Sequence, residues 1–280
     1  MPEGPEIRLA ADKIAKVIEG KVIEDIEVGL PRLLEPSKKL EGIRVEKVET
    51  RGKAMLIHFA NGLTIYSHNQ LYGVWKTARR GHFPRTNRSL RLALHTKQKS
   101  ALLYSASDIA VYDQSELVQH PFLSKIGPDI LNSELSWEIV AERLQQSRFC
   151  NRGLSALYLD QHFIAGIGNY LRTEILFAAG VHPDFKPKQL DSKQIETLAR
   201  QTLIIGKRAY DTKGHTLPPT LSNKLAKTKG SYESVRFMAF NREGSPCRNC
   251  VQPIVKAKRN GRRIYWCESC QLTVSRGIKV

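Results

Sequence analysis

Several things are missing or scarce in this chain, and each shortage excludes a class of protein. No stretch of about 18 uncharged apolar residues occurs anywhere, so no membrane-spanning helix is predicted. The N-terminus lacks a basic segment followed by an apolar run, so no secretory signal is predicted. These two absences predict a soluble, cytoplasmic protein with no membrane partner. Cysteine is scarce and odd in number: of five, four fall in the last 34 residues and Cys150 stands alone. A disulfide framework is more often even and spread out, so metal binding fits better. Acidic residues are in deficit, 27 against 44 Lys+Arg, and the net charge of +17 attracts a polyanion, with nucleic acid the leading partner. No internal repeat is visible.

What is present is enough apolar residue, 41% of 280, to bury one good core and a second. Ile7, Ala11, Ile14 and Ile18 recur at helical spacing with Gly20 as a stop, so an amphipathic helix begins near Pro5. From Val22 to about Tyr104 the texture changes to short β-type runs: "VIEDIEV", "IRVEKVET", "AMLIHFA", "LTIYS", "LRLALHT" and "ALLYSA". Strands in series without intervening helices suggest an antiparallel sandwich or barrel. "HPFLSKIGPDILN" reads as a connector. Beyond it the period is helical, with Ile139, Val140 and Leu144 on one face and Ile195, Leu198 and Leu203 on another. The fold class is therefore α+β in two domains. We place a first domain at 1–122, a linker at 123–134, a helical domain at 135–240 and a finger at 241–280. Residues Thr212 to Ser231, polar and basic with paired prolines, are expected to form a mobile loop.

Cys247, Cys250, Cys267 and Cys270 form a C-x2-C…C-x2-C pattern with sixteen residues between the pairs. Four thiolates on two tight knuckles complete a tetrahedral shell for one Zn²⁺ and leave no open position, so the metal is structural. A redox reading would ask for a single C-x-x-C in a thioredoxin-like setting. No acidic residue lies between Cys247 and Cys267, whereas Arg248, Lys256, Lys258, Arg259, Arg262 and Arg263 do. A pinned hairpin with such a tip suits phosphates, although many zinc ribbons bind protein instead. In "HFIAGIGNYLRTEILF" Gly166 and Gly168 precede a helix start whose backbone N–H groups can hold a phosphate, with Asn169 beside them and Glu174 further along. Lys53 just before a strand, and "NQLYG" between strands, read on their own as a solvated charge and a hairpin turn.

Taken together and in this order, "MPEGPEI", "RGKAM", "YSHNQLYGVW", "FIAGIGNYLRTEILF" and the four-cysteine finger resemble the Fpg/Nei family of DNA glycosylases, and "PEGPEI" with "NQLYG" is most similar to its endonuclease VIII branch. The resemblance runs essentially end to end. It implies an N-terminal antiparallel β-sandwich with an N-terminal helix, then a helix–two-turns–helix domain bearing a zinc-finger β-hairpin. It also implies a monomeric base-excision-repair enzyme, both DNA glycosylase and AP lyase, that acts on double-stranded DNA carrying oxidised bases or abasic sites and prefers oxidised pyrimidines. The alternatives are the sister enzyme for formamidopyrimidines and oxidised guanine, and a non-catalytic zinc-ribbon DNA-binding protein that kept the fold.

The resemblance further implies roles. With Met1 removed, Pro2 carries a secondary amine, and an α-amino group titrates near ~8 against ~10.4 for a lysine side chain, so more of it is neutral near pH 7. Pro2 is the nucleophile at C1′. Glu3 protonates the deoxyribose ring oxygen, and Lys53 assists elimination at the phosphate beside the lesion. Arg262, with Arg263 its near rival, grips phosphates from the finger and serves the δ step. Gln70, Leu71 and Tyr72 fill the gap left by the flipped nucleotide. Asn169 holds a phosphate, and Glu174, in the same helix–two-turns–helix element, is expected to be DNA-binding as well. Lys125 stands where the family carries an arginine, which keeps the charge but loses the bidentate fork.

Overall fold

A computed structural model of the chain describes residues 2–226 and 235–271. Contacts divide it into two compact units, Met1–Ile126 and Gly127–Val280. The division falls inside the stretch read as a linker.

The first unit opens with α1 (Gly4–Ile18), capped at Glu3. Proline at Pro5 costs little there, because N–H groups of the first turn have no intrahelical partner, and the acidic Glu6 complements the helix dipole. Ile7, Ala11, Ile14, Val17 and Ile18 are buried along one stripe, and Gly20, at φ 74°, follows the helix. Then come β1 (Asp25–Val28), α2 (Leu34–Lys38), β2 (Val45–Arg51), β3 (Ala54–Phe59), β4 (Thr64–His68), β5 (Val74–Arg79), β6 (Leu90–His95), β7 (Lys99–Tyr104), β8 (Asp108–Tyr112) and α3 (Gln114–Gln119). The strands form two four-stranded antiparallel sheets, ordered β1-β6-β7-β5 and β2-β3-β4-β8.

Met55, Ile57, Phe59 and Ile65 from one sheet share a core with Leu92, Leu94, Ala101 and Leu103 from the other, closed by Ile14 and Ile18 of α1. Each such side chain contributes roughly 1.5–3 kcal/mol by leaving water. The other side of β3 is also covered, since Leu56 and Tyr66 pack with Leu117, Phe122 and Leu123. That is why "AMLIHF" reads as a continuous apolar run rather than an alternation. Two strands carry no such signal in the sequence, β5 and β8. Both are edge strands with a single well-buried position each, Trp75 and Ile109.

The second unit contains α4 (Trp137–Gln145), α5 (Ser147–Cys150), α6 (Leu154–Leu157), α7 (Asn169–Ala178), α8 (Ser192–Asp211), α9 (Pro219–Ala226), β9 (Val255–Arg259) and β10 (Arg262–Trp266). Helix α8 starts at an Asp191 cap whose carboxylate accepts from the Gln194 N–H. Helix α7 is buried all round from Tyr170 to Phe177, as a helix at the centre of a core must be. The described finger residues belong to this unit: Ile254, Tyr265 and Cys267 pack on Phe177. The mobile loop expected over Thr212 to Ser231 is corrected in part, because Pro219 sits in the first turn of α9. Residues 227–231 of that expectation lie outside the described residues, as do 272–280 of the finger. No helix among the described residues is long and apolar enough to cross a membrane.

Candidate active site and metal centre

The N-terminal end is fixed at Glu3. Its side chain is buried, and its backbone N–H donates to Glu6 Oε2 at 3.0 Å, so half-buried Pro2 hangs one residue from a pinned point.

A second group gathers at one end of the β2-β3-β4 sheet. Lys53, half-buried, lies in the β2–β3 turn after Gly52, whose φ is 62°, and the next residue, Ala54, pairs with His68 at the end of β4. Burial pushes the His68 imidazole below its ordinary value, Asp108 pulls it back up, and the Lys53 charge lowers it further. A neutral ring has an acceptor nitrogen, and His68 Nδ1 takes the Gln70 N–H at 3.1 Å. Gln70 holds φ 49°, in the left-handed region, and its Oε1 accepts from Ser107 Oγ at 2.8 Å. The turn closes through Gly73 N–H to the Asn69 carbonyl at 2.7 Å, where a Cβ on Gly73 would stand 2.6 Å from that oxygen. Glycine is required there by close approach. Arg88 donates to the Tyr72 carbonyl. The result is a braced turn that leaves Leu71 53% and Tyr72 66% exposed. Large apolar side chains held out by fixed backbone are able to enter a base stack.

In the second unit Asn169 opens α7 after Gly168. Its Oδ1 accepts from Arg172 Nη2 at 2.5 Å, which turns the amide NH2 away from the arginine. Arg172 is 0% exposed and donates also to the carbonyls of Ser155 at 2.7 Å and Arg263 at 2.8 Å. One buried guanidinium thus ties the first turn of α7 to α6 and to strand β10 of the finger. That strand leaves an Asn260-Gly261 turn in which both residues have positive φ, and Arg262 and Arg263 emerge from it exposed.

The four finger cysteines form a cluster whose Sγ atoms all lie within 4.8 Å of one another, with Cys247 to Cys270 at 3.8 Å and Cys250 to Cys267 at 3.4 Å. Tetrahedral Zn–S bonds of ~2.3 Å put sulfurs about 3.8 Å apart, so the cage fits. A backbone N–H donated at Gln252 brings the Cys250 thiol down to about 7, whereas burial pushes Cys267 and Cys270 up. Four thiolates stay together only around a cation. Gln271 braces the second knuckle, accepting from the Cys267 N–H at 2.9 Å and donating to the Val181 carbonyl at 2.8 Å.

The formamidopyrimidine-DNA glycosylase N-terminal domain matches residues 1–108, and the formamidopyrimidine-DNA glycosylase H2TH domain matches 126–219. Endonuclease 8 of Escherichia coli strain UMN026 is 46% identical over 271 residues, covering 97% of this chain and 100% of that protein, and Endonuclease 8 of Shigella sonnei is 45% identical over the same span. The chain belongs to the Fpg/Nei family. Solved structures agree on the fold. The Lactococcus lactis Fpg bound to abasic-site DNA superimposes with a TM-score of 0.79 at 23% identity, over 97% of this chain and 100% of that one. The same protein bound to DNA with an oxidised pyrimidine gives 0.80 at 22% over the same shares.

As an Fpg/Nei protein this chain is a base-excision-repair DNA glycosylase and AP lyase. Within its first unit Lys53, His68 and the Gln70–Tyr72 turn share one sheet end. His68 went unnoticed in the sequence, where its only signal is adjacency to "NQLYG". Lys125 is exposed, beyond α3. The expectation that Glu174 touches DNA is corrected. Glu174 is 1% exposed, and its carboxylate accepts from Thr216 Oγ1 at 2.6 Å and from the N–H groups of Met238, Ala239 and Phe240 at 2.8, 2.9 and 2.8 Å. A carboxylate with four protein donors is a latch on Thr216 and on residues 238–240, and its negative charge would repel a phosphate.

Proposed function

We propose that this glycosylase excises oxidised pyrimidines from double-stranded DNA as a monomer, with the Pro2 nitrogen as nucleophile. The observation that carries the substrate class is likeness over 97% of the chain to proteins named Endonuclease 8. The braced turn with Leu71 and Tyr72 exposed supports it, since excision requires a filler for the vacated stack.

In this reading the Pro2 nitrogen bonds to C1′ as the glycosidic bond breaks and the base leaves with that electron pair and a proton. Glu3 gives a proton to the ring oxygen as the C1′–O bond opens, leaving an iminium. Its positive charge acidifies C2′–H, so loss of that proton expels the 3′ phosphate, and a second elimination expels the 5′ phosphate. Lys53 stands at the phosphate beside the lesion. Asn169, Lys125 and Arg262 hold backbone phosphates, Arg262 from the turn of its hairpin. The four cysteines hold one structural Zn²⁺, which keeps that hairpin folded.

Borohydride trapping tests this directly. Trapping on a thymine-glycol duplex is expected to exceed that on an 8-oxoguanine duplex at least tenfold, and to vanish in a form that keeps Met1 while abasic-DNA binding persists. The reverse lesion preference would assign the formamidopyrimidine activity instead. Full trapping with Met1 in place would remove Pro2 from the mechanism.

A further inference from the structure

Outside the finger and the sheet end that carries Lys53, one other cluster of metal-ligating side chains stands on the described residues: Asp25, Glu27 and His95. Its origin is the register of the β1-β6-β7-β5 sheet. Asp25 pairs directly with His95 across the β1–β6 ladder, and Glu27, two residues along β1, points to the same face. Direct cross-strand partners hold their Cβ atoms ~5 Å apart, and the diagonal neighbour is still within reach of a long side chain. One ligand atom from each of the three residues lies within 4.8 Å of the others.

Three features separate this cluster from an ordinary surface ion pair. The imidazole is 3% exposed, while both carboxylates face solvent. Its Nδ1 is pinned by Ser100 Oγ at 2.7 Å, so Nε2 is aimed at the carboxylates, with Glu27 Oε1 at 3.1 Å. A histidine held through one nitrogen and presenting the other is how protein imidazoles are oriented for metals. The third feature is charge. In a chain of +17, no Lys or Arg among the described residues pairs with Asp25 or Glu27, although the neighbouring Glu24 is taken by Arg80. Glu27 has the histidine as its partner, and Asp25 stands within 4.8 Å of both.

We propose that Asp25, Glu27 and His95 form a second metal site, binding a divalent transition ion of the zinc type. The imidazole nitrogen favours zinc and its neighbours over calcium or magnesium, which take oxygen alone. Ligand atoms around a zinc ion at ~2.1 Å stand about 3.4 Å apart, which rotation of two exposed carboxylate side chains reaches from the present spacing. Three protein ligands leave a position open to water, unlike the closed four-sulfur cage. Because the ligands come from the edge strand β1 and its neighbour β6, the ion would also clamp that edge.

The test uses the full chain with the finger zinc in place. Zinc content is measured by elemental analysis after equilibration at rising free Zn²⁺. Wild-type protein is expected to take up a second equivalent per chain beyond the finger ion. Asp25→Asn and His95→Gln are each expected to weaken that second equivalent at least tenfold and leave the first untouched. Asp25 is exposed, so its variant reports on ligation without disturbing the core. Uptake that stops at one equivalent, a second equivalent unchanged in both variants, or loss in His95→Gln with none in Asp25→Asn would each overturn the three-ligand site.

Discussion

The two units hold their functional side chains by different physics. In the first, two sheets and a helix bury a continuous apolar core, and the turn carrying Leu71 and Tyr72 is an attachment to that rigid frame. In the second, the finger has only a small apolar cluster, and its shape depends on four thiols, the buried Arg172 and the buried Glu174. Removing one group therefore has opposite consequences. Change at the tip of the sandwich is expected to alter function and leave folding alone, whereas change at a finger anchor is expected to remove structure first and function with it.

Loss of the metal should give the largest contrast. Structural zinc contributes ~10–16 kcal/mol of apparent binding free energy to a finger at neutral pH. Cys267→Ser, or stripping with a strong chelator, is expected to abolish tight DNA binding and to expose the amides of 247–271 to hydrogen exchange. The β2-β3-β4-β8 sheet should keep its protection. Loss of protection throughout the chain would show that the units do not fold separately. Glu174→Ala comes next. It orphans the N–H groups of Met238, Ala239 and Phe240, while Thr216 Oγ1 keeps the Arg236 carbonyl, and about 3–5 kcal/mol of stability is expected to go, read by urea unfolding. A variant that keeps its stability but loses salt-dependent DNA affinity would restore Glu174 as a DNA contact.

Leu71→Ala sharpens the other half of the comparison. An exposed side chain changes stability by less than about 0.5 kcal/mol. Single-turnover excision from an intact duplex should nevertheless slow about tenfold, and far less from single-stranded or bulged DNA, where unstacking is already done. Equal slowing on both substrates, with a lower melting temperature, would make the residue a turn-former and not a wedge. The smallest effect is expected at His68. Its folded pKa lies below the ordinary value, so the unfolded chain takes up the proton first. Its contribution is present above about pH 6.5 and is lost as pH falls from there toward the depressed folded value. Lys53 favours the neutral ring and Asp108 opposes it. His68→Asn should flatten this part of the stability profile below pH 6.5. His182, lowered mainly by burial in the second unit, keeps its own share in the variant.

Much of the fold was legible where one face of an element is buried. The stripe Ile7, Ala11, Ile14 and Ile18 marked α1, because burial on one side imposes a period on the sequence. Edge strands β5 and β8, each with a single well-buried residue, were not read from the sequence. Asn169 and Glu174 looked alike as polar residues near a glycine-rich helix start. One stands half-exposed at the first turn, and the other, five residues on, points into the core of the unit. Helical spacing alone does not reveal which side faces protein when the helix is buried all round.

What the sequence by itself determined is whatever is covalent or short in range. This includes the proline at the second position, proposed as the nucleophile, the spacing of the four cysteines, the Asn260-Gly261 turn beside Arg262, and the charge that draws DNA. Those depend on neighbours along the chain, which are fixed before folding. What only the tertiary structure decided is how side chains far apart in sequence meet. Examples are His68 under the charge of Lys53, Glu174 on the amides of 238–240, Arg172 on the Arg263 carbonyl, and Asp25 opposite His95. Each of these pairings costs loop-closure and ordering entropy that no local signal records, and each holds because burial of the surrounding core has already offset that cost.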